Sequence, residues 1–222
     1  MRIAAIVLAG GQSRRMGTDK ALLRLPSGGP TLVERVVAAA WAAEADEVLV
    51  VAGDGTRLPA MNARRVPDAQ PGAGPLAGLA TGFAAAQCDA ALALACDLPY
   101  LSAPLLHWMI AQPGAEAEWD ALVPFLPGKD GGNGKDGKAG WQPLHALYTR
   151  ACLPSIRAAL AAGERRMIAF FPRIRVRALT AEAMPPHDPA LRSTRSANTP
   201  EAWDEAACWL TARDAAILAP EE

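Results

Sequence analysis

Short apolar runs alternate with segments of helical periodicity along this chain, which is the pattern of an α/β fold. An unbroken apolar run bounded by polar residues or glycine is typical of a strand buried on both faces of a parallel sheet. Such runs predict strands over residues 3–9, 48–52, 91–95, 121–125 and 145–148. The periodic segments predict helices over residues 31–43, 76–86, 103–110, 153–161, 164–170 and 200–219. We therefore expect a three-layer α/β/α sandwich, with a Rossmann-like, mostly parallel, twisted sheet between the helices.

The chain contains no internal repeat and no linker that would divide it. Residues 1–222 are therefore expected to form one domain. Two helix starts are marked by suitable residues, since Pro75 fits a first helical turn and Ser102 is a good N-cap. Residues 128–140 consist almost wholly of Gly, Lys, Asp and Asn, and such a segment cannot bury an apolar face. We expect it to be a mobile loop.

Composition excludes several classes of function. The 222 residues are 51% hydrophobic, with 22 basic and 23 acidic side chains and a formal net charge of −1. A charge so close to zero argues against a general electrostatic grip on nucleic acid or on an acidic membrane. No apolar run approaches the roughly 18 residues that a membrane span requires. The apolar start, residues 1–10, imitates a short signal peptide but is better interpreted as a strand.

The four cysteines and three histidines lack the spacing of a metal site or a disulfide framework. The expectation is therefore reduced thiols in a cytoplasmic protein. His145, within the predicted strand 145–148, is expected to be a packed core histidine rather than a catalyst.

The segment from Leu8 to Lys20 is the richest in chemistry. A buried strand leads into Gly10 and Gly11, and then into a loop with several cationic side chains. Glycines let backbone N–H groups approach an anion, and Arg15 and Lys20 could neutralise a polyphosphate. The spacing is neither that of a P-loop nor that of G-x-G-x-x-G. The alternative is a tight turn with solvated arginines.

Asp97 follows a strongly apolar predicted strand. A carboxylate in that position is costly unless it is paired or bound to a metal. The carboxyl ends of parallel strands are also where open α/β sheets bind their ligands. The alternative is that Asp97 caps the helix that follows.

Another glycine-rich segment surrounds Pro75. Gly72, Gly74 and Gly78 could suggest a dinucleotide fingerprint, but Pro75 interrupts it and only a short, charged segment precedes it. A helix start packed on the sheet is the stronger interpretation.

Taken in their order along the chain, these segments resemble those of the nucleotidyltransferases related to molybdenum cofactor guanylyltransferase, the MobA-like family. The first matches the pattern L-A-G-G-x-S-x-R-M-G-x-D-K. Further matches are G-P-L-A-G at 74–78, C-D-x-P at 96–99, Q-P-L-x-A-L-Y at 142–148, G-E-R-R at 163–166 and N-T-P-E at 198–201. The chain departs from the pattern at Val51 and Ser196, where the family often has Asn.

The resemblance implies a nucleotide site, a metal site and an acceptor site. The nucleotide would contact Leu8, Ala9, Gly10, Gly11, Lys20, Asp68, Gly74, Pro75, Leu76 and Asp97. Asp97 would hold Mg²⁺, which favours one or two carboxylates together with phosphate oxygens and water. Lys20, Arg15 and Asp97 would be the catalytic residues. Arg165, Arg166 and Asn198 would meet the acceptor, although Thr199 and Pro200 beside Asn198 also make a good helix start.

The implied reaction is transfer of GMP from GTP to molybdopterin that carries molybdenum, with release of pyrophosphate. Guanine is favoured because the first motif has L-A-G-G rather than L-A-A-G. The alternatives are a related enzyme that uses CTP or another small phosphate acceptor, a non-catalytic nucleotide or cofactor binder, and a scaffold that delivers the finished cofactor. Protein partners would be other cofactor-biosynthesis proteins and apo-molybdoenzymes, with no role for nucleic acid or membrane.

Overall fold

The structure is a computed structural model that describes residues 1–10, 20–112, 118–126 and 140–218. Within these residues the strands are β1 (Ile3–Leu8), β2 (Glu47–Ala52), β3 (Arg64–Pro67), β4 (Ala90–Ala95), β5 (Ala121–Leu126), β6 (Gly140–Trp141), β7 (His145–Thr149) and β8 (Val176–Thr180). The α-helices are α1 (Leu32–Ala42), α2 (Pro75–Ala85), α3 (Ala103–Ile110), α4 (Leu153–Ala161) and α5 (Pro200–Leu218). Short 3₁₀ turns cover Lys20–Leu22, Arg150–Cys152 and Phe171–Arg173.

The strands form one mixed sheet in the order β3-β2-β1-β4-β7-β5-β6, and β8 pairs with β5. Strands β3, β2, β1 and β4 are parallel neighbours, and β7 is antiparallel to both β4 and β5. The strand order reverses at β1, which pairs with β2 on one side and with β4 on the other. Such a reversal creates the crevice where open α/β sheets bind ligands.

Helices cover both faces of the sheet. Residues of α1 and α3 pack in one apolar cluster with Ala5 and Val7, while residues of α2 and α4 pack in a second cluster with Ile6 and Leu8. The alternation within β1 follows from the two-residue period of a strand, and all six of its residues are buried. The expected three-layer α/β/α architecture with a mostly parallel sheet is confirmed.

Local capping explains where two helices begin. Thr31 and Glu34 form a capping box at the start of α1, with the Thr31 N–H donating to Glu34 Oε2 at 2.6 Å. Ser102 caps α3 by accepting a hydrogen bond from the Leu105 N–H at 3.3 Å. Both elements lie where the sequence predicts them.

Helix α2 lies unusually close to the sheet because two of its glycines face β1. A Cβ atom built on Gly78 would lie 3.2 Å from a methyl group of Leu8, and one built on Gly82 would lie 2.4 Å from Ile6. The second distance is too short for any real side chain. Glycine at position 82 therefore sets the depth at which α2 sits on β1.

One predicted helix is wrong. Residues 164–165 have no regular structure, and residues 166–170 form a bend and turns in which the Ala169 N–H donates to the Arg166 carbonyl at 3.0 Å. Gly163, with φ of 79°, ends α4, and Pro172 prevents a helix from continuing downstream. Met167 and Phe170 are buried, and their three-residue spacing had imitated a helical face.

The sequence pattern also missed three strands, β3, β6 and β8. β3 and β8 contain arginines and present mostly exposed side chains, while β6 has only two residues. Gly140 belongs to β6, which corrects the end of the predicted loop 128–140, and the rest of that loop lies outside the described residues. In the part of the chain that the structure describes, no helix has the length and apolarity that crossing a bilayer would need.

Candidate active site

The candidate site lies at the edge of the sheet where the parallel strands end. Residues 9 and 10 follow β1, Asp68 follows β3 and Asp97 follows β4. Because neighbouring strands lie about 4.8 Å apart, the ends of β3 and β4 are roughly 14 Å from each other across this edge. The N-terminus of α2 begins nearby at Pro75, after the turn at Gly74.

Lys20 and Asp97 form an ion pair at the end of β4. Lys20 Nζ lies 3.6 Å from Asp97 Oδ2, and each side chain is only 18% exposed. Burial raises the pKa of the Asp97 carboxyl above its ordinary value, while the Lys20 charge opposes that change. The structure therefore holds a desolvated carboxylate and a cation together, an arrangement suited to phosphate and metal chemistry.

Asn198 joins this pair. Its Oδ1 accepts a hydrogen bond from Lys20 Nζ at 2.5 Å, and its Nδ2 donates to Ser196 Oγ. The backbone is fixed beside them, because the Ala197 N–H donates to the Asp97 carbonyl at 2.9 Å. The sequence does not predict the contact of Ser196 with Asn198, although Ser196 departs from the family pattern.

The N-T-P-E segment at 198–201 can be interpreted as part of the site or as a helix start, and the structure assigns these two roles to different residues. Thr199 Oγ1 accepts a hydrogen bond from the Ala202 N–H at 3.2 Å, so Thr199 caps the first turn of α5. Asn198, one residue earlier, points its amide to Lys20. Capping and contact with the site are therefore compatible.

The backbone of residues 8–10 is partly committed to the sheet. The Leu8 carbonyl accepts from the Cys96 N–H at 3.2 Å, and the Ala9 N–H donates to the Val51 carbonyl at 2.9 Å. Gly10 is exposed, and among the residues that the structure describes a Cβ there would meet only Gly53 N, at 4.0 Å. The described part of the chain therefore does not fill the space beside the Gly10 backbone.

Asp68 is held by local hydrogen bonds. Its Oδ1 accepts from the Gln70 N–H at 3.0 Å and from Thr81 Oγ1 at 3.5 Å, while its own N–H donates to the Ala52 carbonyl at 2.9 Å. Thr81 is a residue of α2, so the carboxylate is tied to the helix that begins at the same edge. Val51, in the neighbouring strand β2, is buried in the core.

Arg165 lies against the start of α2. A Cβ on Gly74 would be 3.5 Å from the Arg165 carbonyl oxygen, and Gly74 has a φ of 93°, which favours glycine. The side chains of Arg165 and Arg166 are exposed. Pro75 occupies the first turn of α2, and the Leu76 side chain is fully buried, so only the backbone of Leu76 could meet a ligand.

Two of the predicted site residues, Gly11 and Arg15, lie outside the described residues. Among the residues that are described, no three His, Cys, Asp or Glu side chains cluster as a ready-made metal centre. Asp97 nevertheless fits a magnesium ion that takes its other ligands from phosphate oxygens and water, since it offers a desolvated carboxylate oxygen.

The fold, with a lysine–carboxylate pair in its crevice, is that of the α/β nucleotidyltransferases. A family model described as the MobA-like NTP transferase domain matches residues 5–178, and the chain belongs to this family. Relatives named probable molybdenum cofactor guanylyltransferase agree with this assignment. One from Chloroflexus aggregans is 38% identical over 214 residues, covering 90% of this chain and 91% of its own. One from Mycobacterium tuberculosis is 36% identical over 170 residues, covering 75% and 78%.

Solved structures share the architecture. Molybdopterin-guanine dinucleotide biosynthesis protein A from Archaeoglobus fulgidus superimposes with a TM-score of 0.74 at 24% identity, over 96% of this chain and 100% of its own. The 2-C-methyl-D-erythritol 4-phosphate cytidylyltransferase from Thermus thermophilus has a TM-score of 0.65 at 20% identity, over 93% and 98%. At these identities the likeness establishes the fold.

Proposed function

We propose that this protein transfers GMP from GTP to the phosphate of molybdopterin that carries molybdenum. An oxygen of the acceptor phosphate forms a bond to the α-phosphorus of GTP, the bond from that phosphorus to the bridging oxygen of the β-phosphate breaks, and pyrophosphate leaves. The products are the guanine dinucleotide cofactor and pyrophosphate. Two relatives that cover most of this chain have the name of this activity. The observation that carries the proposal is the Lys20–Asp97 pair at the crevice between β1 and β4.

Charge neutralisation and positioning provide the catalysis, and no protein nucleophile is needed. Lys20 lies at the base of the crevice and would move from Asp97 toward the phosphates, with Arg15 as a second cation. Gly10 and Gly11, which have no side chain, would let the phosphates approach the backbone. Asp68, with the turn at Gly74, Pro75 and Leu76, would contact the nucleoside, together with the backbone of Leu8 and Ala9.

Mg²⁺ would be held by Asp97 and by phosphate oxygens of the nucleotide. When bound, it stabilises negative charge that develops on the phosphates. The ion pair with Lys20 keeps the Asp97 carboxylate compensated in its buried position, and Lys20 is drawn away when it meets phosphate instead. The same two residues thus serve the free and the bound states.

The acceptor would be recognised by Asn198, Arg165 and Arg166. The contact of Asn198 with Lys20 supports such a role for Asn198, and Arg165 and Arg166 would contribute exposed guanidinium groups. Guanidinium groups bind phosphate through paired hydrogen bonds, which suits the terminal phosphate of the pterin.

The setting of the enzyme forms part of the same proposal. A cytoplasmic location is supported by four free thiols, of which Cys208 is exposed. Other cofactor-biosynthesis proteins and apo-molybdoenzymes are the expected protein partners, because they supply the acceptor and take up the product.

Calorimetric titration of GTP, CTP and ATP, with and without Mg²⁺, tests the nucleotide half of the proposal. GTP should bind at least roughly tenfold more tightly than CTP or ATP, which is about 1.4 kcal/mol. Its binding should depend on Mg²⁺ and should weaken in Asp97→Asn. Asp120→Asn is the matched control, since Asp120 precedes β5 at the opposite edge of the sheet.

The transfer half is tested by pyrophosphate release from GTP after addition of molybdenum-loaded molybdopterin. A preference for CTP would identify a cytidylyltransferase on this scaffold. GTP binding without pyrophosphate release would identify a nucleotide binder. Absence of binding by any of the three nucleotides would refute the catalytic proposal.

A further inference from the structure

His145 is a buried titratable residue that the reaction does not use. It is 1% exposed and stands at the start of β7, paired with Leu94 of β4. Because β7 runs antiparallel to β4, its first residue lies at the edge where β4 ends, which is the edge of the candidate site. Burial lowers the pKa of His145 to about 4, against the opposing effects of its own backbone and of Asp188, so the ring is neutral at neutral pH.

Its ring nitrogen Nε2 contacts a serine from a distant part of the chain. His145 Nε2 lies 2.7 Å from Ser193 Oγ, and Ser193 is fully buried. The same Oγ accepts a hydrogen bond from the Ser102 N–H at 3.0 Å. Ser193 therefore joins the start of β7 to the start of α3, and a neutral imidazole can make its bond in either tautomer.

Ser193 belongs to the segment 188–198, which leads into α5. Its N–H donates to Asp188 Oδ2 at 2.8 Å, and the Leu191 N–H donates to the Asp188 carbonyl at 2.9 Å. Between these bonds Leu191 has a φ of 49°, which is unfavourable for a side chain of this size. A strained residue persists only where surrounding contacts hold the backbone, so this turn depends on its anchors.

The anchored segment ends at the candidate site. Four residues after Ser193, the Ala197 N–H donates to the Asp97 carbonyl at 2.9 Å, and Asn198 Oδ1 then accepts from Lys20 Nζ at 2.5 Å. Among the contacts of this segment, Ser193 provides one inside the core and Ala197 provides one at the candidate site.

We propose that His145 is a positioning residue, which through Ser193 fixes the segment 188–198 so that Asn198 meets the Lys20–Asp97 pair. The catalytic meaning of this arrangement rests on the proposed function, whereas the anchoring itself does not. Loss of the imidazole would leave the Ser193 hydroxyl with the Ser102 N–H as its remaining partner named above and would loosen the turn at Leu191. Asn198 would then lose its position although no residue of the site had changed.

Amide hydrogen exchange tests the anchoring directly. In His145→Leu and in Ser193→Ala, amides of 188–198 should exchange roughly tenfold faster or more, while strands β1 and β2 keep their protection. His145→Gln should behave like the wild type, because its amide reaches the position of Nε2 and can donate or accept. Unchanged exchange in segment 188–198, or equal acceleration throughout the sheet, would overturn the proposal.

Kinetics test whether the anchoring acts through Asn198. Transfer should fall roughly 10- to 100-fold in His145→Leu and in Asn198→Ala, with GTP affinity changed little. The double variant should be no slower than Asn198→Ala alone, and His145→Gln should restore most of the rate. If the fold-losses in rate of the two single variants multiply in the double variant, His145 does not act through Asn198. If the wild type shows no transfer, the proposed function fails while the exchange result still decides the anchoring.

Discussion

The substitution Asp97→Asn should weaken GTP binding without destabilising the folded protein. The Asp97 side chain is 18% exposed and lies 3.6 Å from Lys20 Nζ. At that distance, with an effective dielectric constant of about 20, two unit charges attract by about 5 kcal/mol. Burial nevertheless raises the pKa of Asp97 above its ordinary value, so desolvation of the carboxylate outweighs its attraction to Lys20.

The sign of the effect on stability follows from this pKa. A carboxyl group whose pKa is raised by folding stabilises the folded state only below its unfolded pKa, and that contribution is lost as the pH rises through the folded pKa. Asn stays neutral throughout. Asp97→Asn should therefore be as stable as the wild type at pH 7 or more stable, by up to about 2 kcal/mol. The difference should shrink as the pH falls toward 4, while Lys20 keeps Asn198 as a partner.

Urea unfolding at pH 7 and at pH 5, together with GTP titration in the presence of Mg²⁺, measures both effects. Asp120→Asn is a control that should change the unfolding free energy in the opposite direction, because hydrogen bonds from Arg175 lower the pKa of Asp120. Its ionised form stabilises the folded state above the unfolded pKa, and that contribution disappears in Asn. Destabilisation of Asp97→Asn by more than about 1 kcal/mol at pH 7 would refute the reasoning.

Three further substitutions have definite expected outcomes. Thr31→Ala removes the capping box of α1 and should lower the unfolding free energy by about 1 kcal/mol in urea titrations, with no change in GTP affinity. Gly82→Ala should cost about 1–2 kcal/mol, since overpacking against Ile6 exceeds the gain in helix propensity. Gly78→Ala should cost less, because its Cβ would lie 3.2 Å from a methyl group of Leu8 rather than 2.4 Å from Ile6, and equal effects in the two variants would contradict the geometry. Lys20→Met should lower kcat roughly 100-fold, measured as pyrophosphate release, if Lys20 neutralises charge in the transition state.

The fold was largely predictable because its central strands are buried on both faces. Unbroken apolar runs marked β1, β2 and β4, and Ser102 marked the start of α3 to the residue. The arginine-rich edge strand β3 and the partly exposed β8 have no such pattern, because an edge strand has fewer side chains to bury. Residues 164–170 show the converse error, in which buried side chains at helical spacing belong to a series of turns.

The candidate site was predictable in its residue types but only partly in its contacts. Asp97 stood out as a carboxylate after an apolar strand, and the structure pairs it with Lys20. The involvement of Ser193 could not be foreseen, since hydrogen bonds between residues 91 and 48 positions apart leave no local pattern. That residues 1–222 form one domain, and that Gly11 and Arg15 belong to the site, stay predictions.

The close contact between α2 and β1 has a consequence for the evolution of this chain. Ile6 and Gly82 share one volume, so neither position can change freely while the other is kept. A larger residue at position 82 would be accepted only with a smaller one at position 6, or with a displacement of the helix. Among relatives, the two positions should therefore vary together, although they are far apart in sequence. Where a relative breaks this rule, its α2 should lie farther from the sheet around position 82.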